Sequence, residues 1–172
     1  ENSFHGKTKG VLAITDGQLY RGEFKLTDNT VKVPYGDIDA VERVFKSDPE
    51  IGVIVLETIQ GGGGIIKAPA EYWQKLRALC DKYGVLWVAD EVQCGYGRTG
   101  RFYAFEHYGV IPDVTALAKS LGAGKAAVGA MIARREVYMK AYGTPKTAMI
   151  HAMATFGGIG EACVTAIEGL NV

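Results

Sequence analysis

Apolar positions recur along the chain at two alternating periods. Residues 37–45 (DIDAVERVF) place Ile38, Val41, Val44 and Phe45 on one helical face, with Asp37 as the N-cap. Residues 51–57 (IGVIVLE) form a short β-branched run of the kind that makes a strand buried on both faces. Four glycines, 61–64, interrupt the pattern, and the helical period then returns. Over residues 69–83 a stripe of Tyr72, Trp73, Leu76, Leu79, Cys80 and Tyr83 runs between Pro69 in the first turn and Gly84 at the stop. Residues 85–89 (VLWVA) predict a second buried strand that ends in Asp90-Glu91. A glycine-rich stretch follows (Gly95, Gly97, Gly100), then an aromatic segment around Phe102, Phe105 and Tyr108. Residues 113–118 predict a third strand running into Lys119, residues 128–133 a fourth, and residues 135–142 and 160–170 two more helices. Strand, helix and strand in succession imply parallel pairing through right-handed crossovers. The fold class is therefore α/β, with a mainly parallel sheet flanked by helices.

Composition narrows the function. With 48% hydrophobic residues in 172, the chain has the apolar surface to fold, which excludes a disordered segment. Nineteen basic against 19 acidic residues give no electrostatic reason to expect nucleic acid or an anionic membrane as partner. The cysteines, Cys80, Cys94 and Cys163, are odd in number and lack a Cys-x-x-Cys pair, which argues against a disulfide framework or thiolate zinc site and suits a reducing compartment. His5, His107 and His151 show no metal-ligand spacing and read as structural. The longest strongly apolar runs, 53–56 and 85–89, fall far short of the ~20 residues that span a bilayer, and no signal-peptide pattern opens the chain. The expectation is a cytoplasmic protein without metal or membrane partner. The chain opens at ENSF without an initiator Met and stops at GLNV, so both ends read as cut from something longer.

In an open parallel sheet, ligands gather beyond the carboxyl ends of the strands. The polar residues just after the apolar runs are Glu57 with Gln60, Asp90 with Glu91 and Gln93, and Lys119 with Ser120. A lysine closing a buried strand is expected to be partly desolvated, which favours the nucleophilic amine and a Schiff base with a carbonyl. Asp90 by itself could simply cap the next turn. Together, a lysine and an acidic residue on neighbouring strands match what pyridoxal phosphate needs: an amine for its aldehyde carbon and a carboxylate for its pyridine nitrogen.

These residues also carry a resemblance. Val88-Ala-Asp-Glu-Val-Gln93, Gly97-Arg-Thr-Gly100 and Leu117-Ala-Lys-Ser-Leu-Gly122 resemble the core of the class III, ornithine- and acetylornithine-type, pyridoxal-phosphate-dependent aminotransferases. Glu57-Thr-Ile-Gln-Gly61 resembles their Glu-Pro-Ile-Gln-Gly segment, Phe4-His5-Gly6 their aromatic-His-Gly loop, and Thr155-Phe-Gly-Gly158 their Ser-Thr-Phe-Gly-Gly segment. The resemblance spans essentially the whole chain and implies the central part of the large cofactor-binding domain of a fold-type I enzyme. It implies that Lys119 forms the Schiff base and then shuttles a proton, that Asp90 holds the pyridinium nitrogen, that Gln93 bonds the ring hydroxyl oxygen and that Phe4 stacks on the ring. It further implies that Glu57 supports the site from behind and that Thr155 reaches the cofactor phosphate of a neighbouring subunit in a homodimer. The implied reaction moves an amino group from a small-molecule amine or ω-amino acid donor, by preference one with a terminal amine, to a 2-oxo acid.

Departures from the pattern bear on the substrate. Gly62 stands where the family usually has a glutamate that helps gate the arginine reading the substrate carboxylate, and Thr58 where it has proline. Ala154 replaces a common serine, Ile159-Gly160 replaces Asn-Pro, and His151 sits one residue further from Thr155 than usual. The family's Gly-Ser-rich phosphate loop would lie upstream of Glu1 and its carboxylate-reading arginine downstream of Val172, so a piece of 172 residues on its own is expected to lack full activity. Three other readings compete. A P-loop would need glycine and Ser or Thr where the chain has Lys119 and Ala126, or glycine where it has Glu1. A dinucleotide fold would need an acidic strand end about 20 residues after the glycines, but Asp81 falls within the predicted helix. A non-catalytic scaffold of the same fold is opposed by the presence of both Lys119 and Asp90, although an isolated piece of the fold would behave as inactive.

Overall fold

In a computed structural model of the chain, the described residues are 1–152 and 154–172, the side chains of 150–152 excepted, so the reading of His151 as structural lies outside them. The predicted elements are found. Helix α3 (Ile38–Ser47), which follows two single-turn helices, α1 (Lys9–Leu12) and α2 (Gln18–Arg21), starts at Asp37, whose carboxylate accepts the Ala40 amide at 2.9 Å. Helix α4 (Ala70–Tyr83) begins after Pro69 and ends at Gly84, which takes the left-handed conformation at φ +68° that a side chain would resist. Strands β1 (Val53–Glu57), β4 (Leu86–Asp90), β5 (Val114–Leu117) and β6 (Ala130–Ala133) form one sheet in the order β1-β4-β5-β6. Helices α5 (Arg135–Tyr142), α6 (Pro145–Ala152) and α7 (Gly160–Leu170) complete the chain.

Helices α1, α2 and α6 are not read from the sequence, and two further features differ from that reading. The four glycines form the turn of a small hairpin, β2 (Ile59–Gln60) against β3 (Ile66–Lys67), in which the Gly61 carbonyl accepts the Gly64 and Ile65 amides. Strand β6 pairs antiparallel with β5, whereas β1, β4 and β5 are parallel. The β5–β6 connection carries only a short 3-10 turn (Lys119–Gly122) and no crossover helix, so the chain returns in the opposite direction. Strand β1 is an edge, and its burial rises along its length from exposed Val53 to buried Leu56 and Glu57.

The core lies on one face of the sheet. Tyr72, Trp73, Leu76 and Cys80 of α4 pack over Leu56, Trp87 and Ala89, and Trp73 stacks on Trp87 and Tyr108 at centroid distances of 5.7 and 5.6 Å. Asp113, buried at the start of β5, ties this layer together. Its carboxylate accepts from the Trp87 amide and from Arg77, both at 2.8 Å, and pairs with Arg134 at 3.3 Å. No helix among the described residues is long and apolar enough to cross a membrane.

Candidate active site

Side chains alternate along a strand, so the residues of β4 divide between the two faces of the sheet. Trp87 and Ala89 face α4, which sends Asp90 to the other side. The register pairs Asp90 with Glu57 on β1 and with Ala116 on β5, so both carboxylates reach the opposite face at the carboxyl end of the parallel strands.

The N-terminal segment supplies that face. Thr15, fully buried, accepts the His5 amide at 3.0 Å and donates to the Gly6 carbonyl, while Asp16 accepts the Asn2 amide at 2.7 Å and Lys32 at 2.9 Å. Held in this way, Phe4 donates its amide to Glu57 at 2.8 Å, and His5 Nδ1 lies 2.8 Å from Asp90 Oδ2. An ionised carboxylate only accepts, so His5 carries its hydrogen on Nδ1. The second oxygen of Asp90 accepts the Val92 amide at 3.0 Å, the turn-capping role also open to it from sequence. Burial pushes the Glu57 carboxyl above the ordinary carboxylate range, against the pull of the Phe4 amide and of His5.

The Lys32 ammonium and the Asn2 amide hold the Asp16 carboxyl at about 2, below its ordinary 3.8. A folded-state pKa below the unfolded one contributes stability that is present above the unfolded value and lost as the pH falls. The chain is therefore expected to lose stability between about pH 4 and pH 2, in a step that Asp16→Asn removes from the pH dependence of urea midpoints. An unchanged acid limb in that variant would show that Asp16 does not anchor the segment.

Lys119 follows β5 through Ala118 and takes φ +51°, a left-handed conformation that costs a residue with a Cβ about 1–2 kcal/mol. Its ammonium donates to Gln93 Oε1 at 2.8 Å. The desolvation expected of this lysine is not found: the residue is exposed, because the strand ends at Leu117 and the chain turns outward at the 3-10 turn. Ile59, Gly61, Gln93, Arg98, Lys119 and Ser120 line a cavity of about 620 Å³ beside it, and Arg98 reaches Ser120 Oγ at 3.3 Å.

The structure thus gathers the sequence candidates into two groups. Phe4, Glu57 and Asp90 stand with His5 on the sheet face, and Gln93 with Lys119 at the cavity, the two joined by the turn that runs from Asp90 to Gln93. Thr155 is brought to neither group; it is exposed in a turn before α7. His5, read from sequence as structural with packing near the cofactor ring as the alternative, pairs directly with Asp90. His107 bonds the Thr99 carbonyl and hydroxyl at 3.0 and 3.1 Å and braces the Gly97–Gly100 loop.

Comparisons with known proteins find structures similar to this chain. The ornithine aminotransferase of Toxoplasma gondii superposes with a TM-score of 0.90 at 32% identity, over 99% of this chain and 39% of that one. The Plasmodium falciparum ornithine delta-aminotransferase is 38% identical over 83% of this chain and 35% of its own, with a TM-score of 0.75. A Bacillus anthracis aminotransferase gives a TM-score of 0.90 at 29% identity, over 99% and 42%. The chain spans about two fifths of the length of the Toxoplasma protein. Its fold is that of the cofactor-binding domain of fold-type I aminotransferases. The model of the family Aminotransferase class-III matches residues 1–172, the whole of the sequence, and the chain belongs to that family.

Proposed function

We propose that this chain is the central part of the large domain of a pyridoxal-phosphate-dependent transaminase, which moves an amino group from a primary amine to a 2-oxo acid. The observation that carries the reading is the convergence of Asp90, Gln93 and Lys119 at the carboxyl ends of adjacent parallel strands. The residues fit the cofactor. A carboxylate buried at the end of β4 suits a protonated ring nitrogen, a primary amine suits an aldehyde, and Gln93 offers an amide for a ring oxygen. Gly61 leaves the space that fit requires, since a Cβ there would overlap the Gln93 carboxamide.

When bound, pyridoxal phosphate supplies an aldehyde that takes up the amino group and a ring that withdraws electrons from the carbon bearing it. Asp90 would hold the ring nitrogen in its protonated state: each carboxylate oxygen has a lone pair left beyond its bond to His5 or to the Val92 amide. His5 keeps the carboxylate in place by donating to it. Phe4, fixed through its amide by Glu57, provides the aromatic face. Lys119 would hold the group through Nζ, and the same amine, when free, would take and return a proton at Nζ while Gln93 orients it. The donor is proposed to be a terminal amine. Gly62 leaves the wall beside Phe4 without a side chain, which supports a donor read otherwise than by a gating glutamate. We further propose a cytoplasmic homodimer in which Thr155 contacts the neighbouring subunit's cofactor, consistent with its exposure.

Borohydride reduction of the longer enzyme, followed by peptide mapping, tests the assignment. The pyridoxyl label is expected on Lys119. Label on another lysine, or none, overturns it.

A further inference from the structure

The register that pairs Glu57 with Asp90 places Thr58 and Glu91 one position further along. By alternation these two point away from the Phe4 and His5 face, toward the layer that contains α4. Both are buried, Thr58 at 0% and Glu91 at 1% exposure. The Thr58 hydroxyl donates a short hydrogen bond to Glu91 Oε1, and the Ala104 amide donates to Oε2 at 2.8 Å. The Glu91 backbone is engaged as well: its amide donates to the Ala116 carbonyl and its carbonyl accepts the Gly95 amide, each at 3.0 Å. Position 95 must be glycine for this approach, because a Cβ there would lie 2.7 Å from the Glu91 carbonyl oxygen.

The turn from Asp90 to Gly95, which carries both Asp90 and Gln93, therefore hangs from Glu91. A carboxylate held inside the protein depends on its donors, and burial pushes this one upward in pKa while the Thr58 hydroxyl draws it back. The proline found at this position in the segment that residues 57–61 resemble has no hydroxyl to give. Nothing in the proposed reaction uses Glu91 or Thr58 directly.

We propose that Thr58 is a positioning residue for this turn: its hydroxyl fixes Glu91, and through Glu91 it fixes Asp90 and Gln93 relative to Lys119. The inference rests on the function proposed above for what Asp90 and Gln93 do, but not for the packing itself. Two measurements on the longer enzyme test it: amide hydrogen exchange after removal of the cofactor, and the dissociation constant for added pyridoxal phosphate. Loss of a buried hydrogen bond predicts that Thr58→Val speeds exchange at the Val92 and Gly95 amides on the order of 10-fold and weakens the cofactor by a similar factor. Exchange within α4 stays as in the wild type. Thr58→Ser, which keeps the hydroxyl, stays within about 2-fold on both measures. Thr58→Ala removes the same hydroxyl with less volume and must reproduce the valine result, which covers a valine variant that fails to fold. Wild-type exchange at Val92 and Gly95 in the variants lacking the hydroxyl overturns the proposal, as does an equal acceleration in α4. If the wild-type enzyme takes up no pyridoxal phosphate, the proposed function fails, while the exchange measurement still decides the role of Thr58.

Discussion

Asp90→Asn in the longer enzyme is expected to lower the turnover of transamination at least ~100-fold, the scale of a lost proton-positioning group. The substitution preserves size, and an asparagine oxygen can still accept from His5 Nδ1 at the present 2.8 Å, while its NH2 then faces the Val92 amide, which loses its acceptor. Conversely, an oxygen turned to Val92 leaves His5 without one, and in either orientation the negative charge is gone. A neutral amide cannot hold a proton on a pyridine nitrogen whose own basicity is modest, so the ring loses its pull on the electrons of the reacting carbon. The loss should fall on turnover more than on cofactor retention, since Lys119 and Phe4 are untouched. Single-turnover kinetics with a primary amine separates the two, and unchanged turnover would sink the role given to Asp90. His5→Ala is expected to produce a smaller fall in the same direction, because it acts on the carboxylate rather than on the reacting atoms.

The largest effect on stability is expected at Asp113. This carboxylate is 5% exposed and satisfies the Trp87 amide, Arg77 and Arg134 together. Asp113→Ala leaves a buried amide without its acceptor and an arginine, 14% exposed at its side chain, without its main counter-charge. Removal of one partner from such a buried pair costs about 3–5 kcal/mol, here shared between the amide left without an acceptor and an arginine left with only the exposed Asp81. Asp81 provides the internal control. It meets the same Arg77 at the same 2.8 Å but is 62% exposed, so Asp81→Ala should cost less than about 1 kcal/mol. Urea denaturation of the two variants compares them directly, and equal losses would show that burial does not govern the network.

Much of the fold is legible in the chain because its signals are local. The stripe on α4, the Asp37 cap and the Gly84 stop each depend on residues within one or two helical turns, and the observed helix, Ala70–Tyr83, starts one residue after the sequence reading places it. The hairpin around the four glycines was less visible, since β2 and β3 have two residues each and no alternation can be read from a pair. The direction of β6 was hidden for a different reason. A strand looks the same in either direction, and only the missing crossover helix betrays the return.

At the site, sequence marks which chemical groups end the strands: Glu57, Asp90 with Gln93, and Lys119. Their residue types and order suffice for the family. It does not show that Glu57 and Asp90 are paired across two strands, that His5 closes on Asp90 from 85 positions away, or that Thr58 meets Glu91 inside the protein. It misleads over Lys119, which the neighbouring apolar run suggests is partly desolvated and which stands exposed in the turn after the strand. The division has one physical cause. Periodicity, caps and strand ends are set by neighbours along the chain, whereas the partners of a buried carboxylate are set by sheet register and by which segment covers the sheet, and those contacts exist only once the chain has folded.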